Sequence, residues 1–359
     1  MDIEQKRLGA IMKSRGFGII GCGMIAEFHA QAIEHMSGVH LVAGYDPAPG
    51  RAATFGKKHN CLGYEKLDDF LANPDIDIVT VATPSGLHLD GAIAAANAKK
   101  NVIVEKPLEI TPERCRAIVE ACKENNVKLS GVFPSRYHEP AKLVKKAIKE
   151  GRFGKICFAD AQINWFRSQE YYDSGAWRGT WKMDGGGCFM NQGIHAIDLL
   201  QWFMGPVDEV TSYAGTLGHE RIEVEDTACA ILKFKNGALG AIEATTCAYP
   251  GFLKKIEVYG TKGSAAIEEE SLIKWEFADE KPEDKEIREK LLNATVSGGG
   301  AADPSAISYI PHQHLFEAFV KSLNEGTEPE VNGESASKAV EIICAAYESA
   351  KTGKAVKFE

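Results

Sequence analysis

Phe17-Gly-Ile-Ile-Gly21-Cys-Gly-Met-Ile-Ala26 passes from a short apolar, strand-like run straight into a glycine turn, and the helical pattern Glu27-Phe-His-Ala-Gln-Ala-Ile33 follows. G-x-G-x-x-A set between a strand and a helix is the arrangement that binds a dinucleotide. Gly21 is expected to make the tight turn and Gly23 to let the backbone reach a pyrophosphate. Ala26 would let the helix pack closely, while the helix start at Met24 and Ile25 faces the phosphates. A glycine turn without a ligand is the competing reading. The segments that follow decide between them.

The next apolar run, Val39 to Tyr45, ends at Asp46, where a strand-end acid accepts hydrogen bonds from an adenosine ribose. A carboxylate there repels a 2′-phosphate, so NAD is favoured over NADP, although the nearby Arg51 moderates the preference. Asp46 acting only as a loop cap is the alternative. Strands and helices then alternate through Ile76-Asp-Ile-Val-Thr-Val-Ala82 and Asn101-Val-Ile-Val104, which implies βαβ units and a parallel sheet. Thr83, Pro84 and His88 follow one strand, and Glu105-Lys106-Pro107 follows the other, both at the carboxyl edge where ligands of such sheets bind. A lysine in that crevice can stabilise an alkoxide or relay a proton. A surface salt bridge from Lys106 to Glu105 would be the bland alternative.

At 359 residues the chain is longer than one core usually grows, so two domains are expected, 1–134 and 135–359. The net charge of -9 disfavours nucleic acid and anionic membrane as partners. Nine cysteines without a C-x-x-C pair read as reduced thiols of a cytoplasmic protein. The first residues are polar, unlike a signal peptide, and no run approaches the roughly 20 apolar residues of a membrane span.

The G-x-G-x-x-A turn, Val81-Ala-Thr-Pro-Ser-x-x-His88 and Val102-x-Val-Glu-Lys-Pro107 together resemble the Gfo/Idh/MocA oxidoreductases, the family of glucose-fructose oxidoreductase and myo-inositol dehydrogenase. The resemblance extends over nearly the whole chain. It implies a Rossmann dinucleotide domain followed by an α+β domain with a large, open, mostly antiparallel sheet. It also implies that Lys106 lies beside the nicotinamide and the reacting hydroxyl.

Asp184-Gly-Gly-Gly-Cys-Phe-Met-Asn-Gln-Gly-Ile-His-Ala-Ile-Asp198 carries Asn191 and His195 four residues apart, a spacing that stacks both on one helix face. Three glycines let a backbone turn sharply and approach a ligand. In the family a glycine run precedes D-x-x-x-H, and its aspartate and histidine join the lysine around the substrate hydroxyl. Here Asn191 stands where many members carry aspartate. An amide can orient a hydroxyl but cannot take its proton. The resemblance associates asparagine at this position with branches that oxidise C3 of sugar nucleotides.

The segment from Trp165 to Trp181 is rich in aromatics and arginines, suiting a sugar, sugar acid or sugar nucleotide, and Arg167, Tyr172 and Arg178 are its candidates. A buried aromatic cluster is the alternative reading. Arg136, after the Phe133-Pro exit, borders the active site by resemblance or pairs with a core carboxylate. Residues from Val207 to Ile267 read as an antiparallel sheet whose outer face is free to join another subunit, as a homodimer or homotetramer. The stretch from Glu268 to Ser305 reads as an inserted lid or arm. Tyr309 and His312 are expected in the substrate pocket by family position. No ligand set accompanies His312 and His314, so no metal is expected. A closing helix, Ser335 to Thr352, should pack back across the molecule.

Hydride transfer between a secondary hydroxyl of a carbohydrate and NAD is the expected chemistry, with Lys106, His195 and Asn191 as its catalytic residues. Transient C3 oxidation by an NAD-dependent glycosidase, or a non-catalytic sugar or NAD sensor, are the alternatives.

Overall fold

Short strands, three to seven residues long and alternating with helices, assemble the first sheet of this computed structural model, which describes residues 14–291 and 308–358. Its strands are β1 (Arg15–Ile20), β2 (Val39–Tyr45), β3 (Leu62–Tyr64), β4 (Ile78–Val81), β5 (Asn101–Val104) and β6 (Leu129–Gly131). They lie in the order β3-β2-β1-β4-β5-β6, all parallel. The order reverses between β1 and β4, and ligands of such sheets enter the crevice at that point. Helices α1 (Met24–Glu34), α2 (Arg51–Lys58), α3 (Leu67–Leu71), α4 (His88–Asn97) and α5 (Pro112–Glu124) connect the strands. Phe17, Ile19, Ile78, Val79 and Val102 through Val104 are fully buried, because helices cover both faces of a parallel sheet.

The second sheet follows helix α6 (Glu139–Lys149) and begins with β7 (Ile156–Asn164), then helix α7 (Gln169–Asp173) and helix α8 (Ile194–Met204). Strands β8 (Val207–Gly215), β9 (Thr227–Phe234), β10 (Leu239–Thr245), β11 (Lys255–Gly260), β12 (Gly263–Glu268) and β13 (Ser271–Phe277) complete it, with β14 (Val356–Lys357) at one edge. Neighbours are antiparallel except β7 and β10. Helices α9 (Pro282–Leu291), α10 (Ile310–Glu325) and α11 (Gly333–Thr352) complete the described residues.

Helix α8 packs under β7, while α11 runs along β8 and reaches back to α5 and β6. Asn332 caps α11 by accepting from the Ser335 amide at 2.9 Å, and Ser130 on β6 donates to the Val331 carbonyl at 3.0 Å. The first sheet and the C-terminal helix are thereby joined through backbone as well as packing. The opposite face of the second sheet exposes Tyr213, Ile231 and Leu239.

Two expectations are corrected. The stretch after Glu268 is not wholly an insertion. It contains β13, whose Leu272 and Trp275 are buried, and α9, whose Asp284 accepts from the Trp275 indole at 2.7 Å and from both arms of Arg152. Single apolar residues between charges hid the strand. The glycine-rich part, 297–304, lies outside the described residues, as do 1–13. The second correction concerns Asn191 and His195. Cys188–Gly193 is a π-helical turn, and α8 starts only at Ile194. Asn191 and His195 thus lie on a π turn and on the α-helix that follows it rather than on one continuous α-helix.

Among the described residues no helix is long and apolar enough to cross a membrane.

Candidate active site

The glycine turn leaves room for a dinucleotide. Gly21 has φ +92°, and a Cβ there would meet the Ala82 backbone at 2.9 Å, so the protein itself requires glycine. At Gly23 an added Cβ would meet nothing within 4 Å, so no protein contact accounts for that glycine. The open side leaves the backbone accessible for close approach by a ligand. The start of α1 has no side-chain cap, which leaves its first amides free for phosphate. Thr83 adds a buried hydroxyl with no protein partner at the edge of the crevice. Met24 is half-exposed at the helix start.

Asp46 is nearly buried and holds the loop from beneath. Its Oδ2 accepts from the Cys22 amide at 3.0 Å and its Oδ1 from Ala48 at 2.9 Å, with the Arg51 guanidinium 3.5 Å away. Capping is therefore realised in full. A carboxylate has further lone pairs, so a ribose can share it. A cleft lined by Cys22, Glu27, Pro49, Arg51 and Lys58 opens beside it.

Across the crevice, Lys106 meets the π-helical turn. Its Nζ donates to the Asn191 carbonyl at 2.9 Å and to Asn191 Oδ1 at 3.3 Å, joining residues 85 positions apart. Burial lowers the Lys106 pKa, and Arg167 and Arg178 push the same way against Glu105 and Asp184. The Asn191 amide donates in turn to Asp184 Oδ1 at 2.9 Å. His195, beside the Phe133 ring, has no protein partner for its Nδ1. Burial, then the charges of Lys106 and Lys254, hold it well below the usual imidazole range. It is therefore neutral near pH 7, with a ring nitrogen that no protein group engages. An ammonium donor and a neutral imidazole beside a nicotinamide crevice can together take the proton from a hydroxyl and hold the developing alkoxide.

The glycine run has a protein-side explanation. A Cβ at Gly185 would lie 2.4 Å from Ile110, at Gly186 2.2 Å from the Tyr347 hydroxyl, and at Gly187 1.7 Å from the Glu225 carbonyl. These glycines clear packed neighbours rather than a ligand. Glu225 ties down the turn they open, accepting from the Gly187 amide at 2.8 Å, Phe189 at 2.9 Å and Tyr347 at 2.7 Å.

Residues 15–133 match the oxidoreductase family model with the NAD-binding Rossmann fold, and residues 141–266 match the GFO/IDH/MocA C-terminal domain. The chain belongs to the Gfo/Idh/MocA oxidoreductase family. It is similar to the WlbA dehydrogenase of Bordetella pertussis, solved in complex with NADH and UDP-GlcNAcA, at 34% identity, TM-score 0.85, with 96% of this chain and 98% of that one covered. A levoglucosan dehydrogenase solved with NADH and levoglucosan matches at 26% identity and TM-score 0.83, covering 96% and 99%. Myo-inositol 2-dehydrogenase of Thermotoga maritima is 28% identical, over 95% of this chain and 98% of its own. This Gfo/Idh/MocA chain is thus an NAD-dependent dehydrogenase of the sugar-oxidising kind.

Several residues expected at its ligands are engaged by protein partners. Glu105 turns inward, accepting from His29 Nε2 at 2.7 Å and the Lys106 amide at 3.0 Å, with His312 Nε2 at 3.4 Å. Burial alone would raise its pKa, but the bonds from His29 and His312 hold it well below the carboxylate range. His88 places both ring nitrogens 2.9 Å from carbonyls, of Pro107 and Thr83, and so clamps two crevice loops. Arg136 is buried, donating through Nε and Nη2 to Asp198 and through Nη1 to Ser335. Its charge is committed to Asp198 in the core. Tyr172 is buried too, its hydroxyl 2.9 Å from Thr246 and its ring on His219. Tyr309 stacks on His35 at the carboxyl end of α1, the end opposite the glycine turn.

Arg178 stacks on Tyr171 and Trp177, at 4.4 and 4.5 Å, and remains half-buried beside the crevice. Arg167 lies over Trp165 and donates to the Phe166 carbonyl.

His312 joins Glu105 and His29, not His314, and a second cluster gathers His219, Asp226 and Cys247. Hydrogen bonds engage both: His29 meets Thr80 at 2.9 Å, and Asp226 accepts the amides of Leu217, Gly218 and His219. Asp184, Glu225 and His29 were missed. The only sequence signal among them was an acid directly before the glycine run.

Proposed function

We propose that this enzyme oxidises a ring hydroxyl, at C3, of a nucleotide-linked sugar acid. The observation that carries the reading is the contact of Lys106 with Asn191, which unites the crevice lysine with the His195 helix. Bound NAD supplies the hydride acceptor. Neutral His195 takes the hydroxyl proton, the Lys106 ammonium donates to the oxygen as charge develops, and Asn191 holds that ammonium in place. Arg167 and Arg178 add positive charge near Lys106, which suits a carboxylate or phosphate on the substrate. The likeness to the WlbA dehydrogenase supports a UDP-linked acid in particular.

A single-turnover experiment tests this, mixing enzyme and NAD with UDP-GlcNAcA and following nicotinamide absorbance and product mass. Loss of one hydrogen molecule's mass from the sugar, with reduced cofactor formed in step, is expected. Reduction with levoglucosan or myo-inositol but not with UDP-GlcNAcA would refute the sugar-nucleotide reading. Replacing either Lys106 or His195 by alanine should lower turnover by roughly 100-fold or more.

A further inference from the structure

We propose that Asp184 is a positioning residue that fixes the Asn191 amide and, through it, the Lys106 ammonium. The proposal rests on Lys106 acting at the substrate oxygen, as argued above. A carboxylate only accepts hydrogen bonds, whereas an amide has one accepting and one donating end. Asp184 Oδ1 lies 2.9 Å from Asn191 Nδ2, so it dictates which end of the amide faces it. Oδ1 of Asn191 is left pointing at Lys106, 3.3 Å from Nζ. The Asn191 carbonyl takes a second ammonium hydrogen at 2.9 Å. Two of three N–H bonds are tethered, and the third is left for the substrate oxygen.

The same geometry keeps a negative charge beside the lysine although residue 191 is itself a neutral amide. That charge sits seven residues upstream, where it acts on Lys106 and opposes the loss of its proton. The glycine run makes this possible, since Gly185 at φ +76° and its close fit to Ile110 fold Asp184 back over the π-helical turn. Gly179 anchors the other carboxylate oxygen from its amide at 2.7 Å. Asp184 is almost wholly buried, so solvent cannot take over these bonds.

The groups facing Asp184 are Lys106 from the loop after β5, Arg178 and the Gly179 amide from the aromatic loop, and Asn191. Burial outweighs them and raises the carboxyl to about 6. A protonated Asp184 can donate as well as accept, so it no longer dictates the amide's orientation. Turnover of the wild type should fall as pH drops through that value.

Asp184→Asn preserves shape but removes the dictated orientation and the charge. With UDP-GlcNAcA as probe, it should lower kcat by ~10-fold or more, since misplacing a reacting group is costly, while KM and NADH binding stay close to wild type. The acid limb near pH 6 should disappear. Asn191→Ala should cost a similar factor, and the double variant should be no slower than the slower single one, because the two act in series. Additive losses, or wild-type kcat in either variant, would overturn the proposal. If Asp184→Asn does not fold, Asn191→Ala alone decides by the same criterion.

An activity-free arm separates this idea from the substrate assignment. Competitive acetylation of Lys106, read by peptide mass spectrometry against pH, should show its midpoint shifted downward in Asp184→Asn. An unmoved midpoint overturns the proposal whatever the substrate is. Inactivity of the wild type on UDP-GlcNAcA with a shifted midpoint refutes only the substrate assignment.

Discussion

Arg136 is a buried cation and Lys106 a partly buried one, both next to carboxylate-bearing elements, yet their surroundings give them opposite tasks. Arg136 finds in Asp198 a bidentate partner that is itself fully buried, and Ser335 takes a third of its five N–H groups. Lys106 finds only neutral oxygens of Asn191 as hydrogen-bond acceptors. Replacing Arg136 with methionine leaves Asp198 uncompensated in the core and should lower the unfolding free energy by about 3–5 kcal/mol, measured by denaturant titration. Arg136→Met combined with Asp198→Leu should recover much of that loss. A substrate-binding arginine would behave differently, raising KM with little change in stability. The sequence left both options open for Arg136, because a partner 62 positions away is invisible without the fold. The place of Lys106 was legible, since a strand end beside a glycine turn already implies a crevice. Asp184 was not. Its role depends on a hydrogen bond that only the folded-back glycine run creates.

Between residue and molecule, the decisive element is the π-helical turn from Cys188 to Gly193. Four-residue spacing between Asn191 and His195 suggested one α-helical face, and such spacing carries no sign of a wider turn. What imposes it is tertiary: Glu225 binds the amides of Gly187 and Phe189, while Tyr347 from α11 holds Glu225. Glu225→Gln presents an amide hydrogen to one of those backbone donors. It should speed hydrogen exchange across 187–193 and lower kcat by ~10-fold or more through displacement of Asn191. Unchanged exchange in that segment would remove the turn's dependence on Glu225. The strands of the first sheet, by contrast, were readable one by one. β1, β4 and β5 are nearly continuous buried runs because helices cover both faces, whereas β3 and β6 are only three residues long. β13 escaped notice because its apolar residues alternate with charges and follow an acidic turn.

At the scale of the molecule, the two sheets bury unequal shares of their surfaces. Both faces of the first are covered, whereas the second lays one face on α8 and α11 and leaves the other open. On that open face Ile231 sits between Thr211 and Ala241, with Asp160 and Glu257 continuing the row. The adjacent row runs Tyr213, Cys229, Glu243, Gln162 and Lys255. Apolar side chains therefore mix with charges of both signs across one broad surface. A second copy related by a two-fold axis can set lysines against carboxylates while covering Tyr213, Ile231 and Leu239, which makes the face suited to self-association. Sedimentation at micromolar concentrations should show a mass of at least two chains. Ile231→Asp adds an unpaired carboxylate at the centre of the patch and should shift the protein toward one chain, with NADH binding retained because the crevice lies on the other side of the sheet. A wild type that sediments as a single chain at every concentration would leave this face exposed without a partner and would rule out the homo-oligomer.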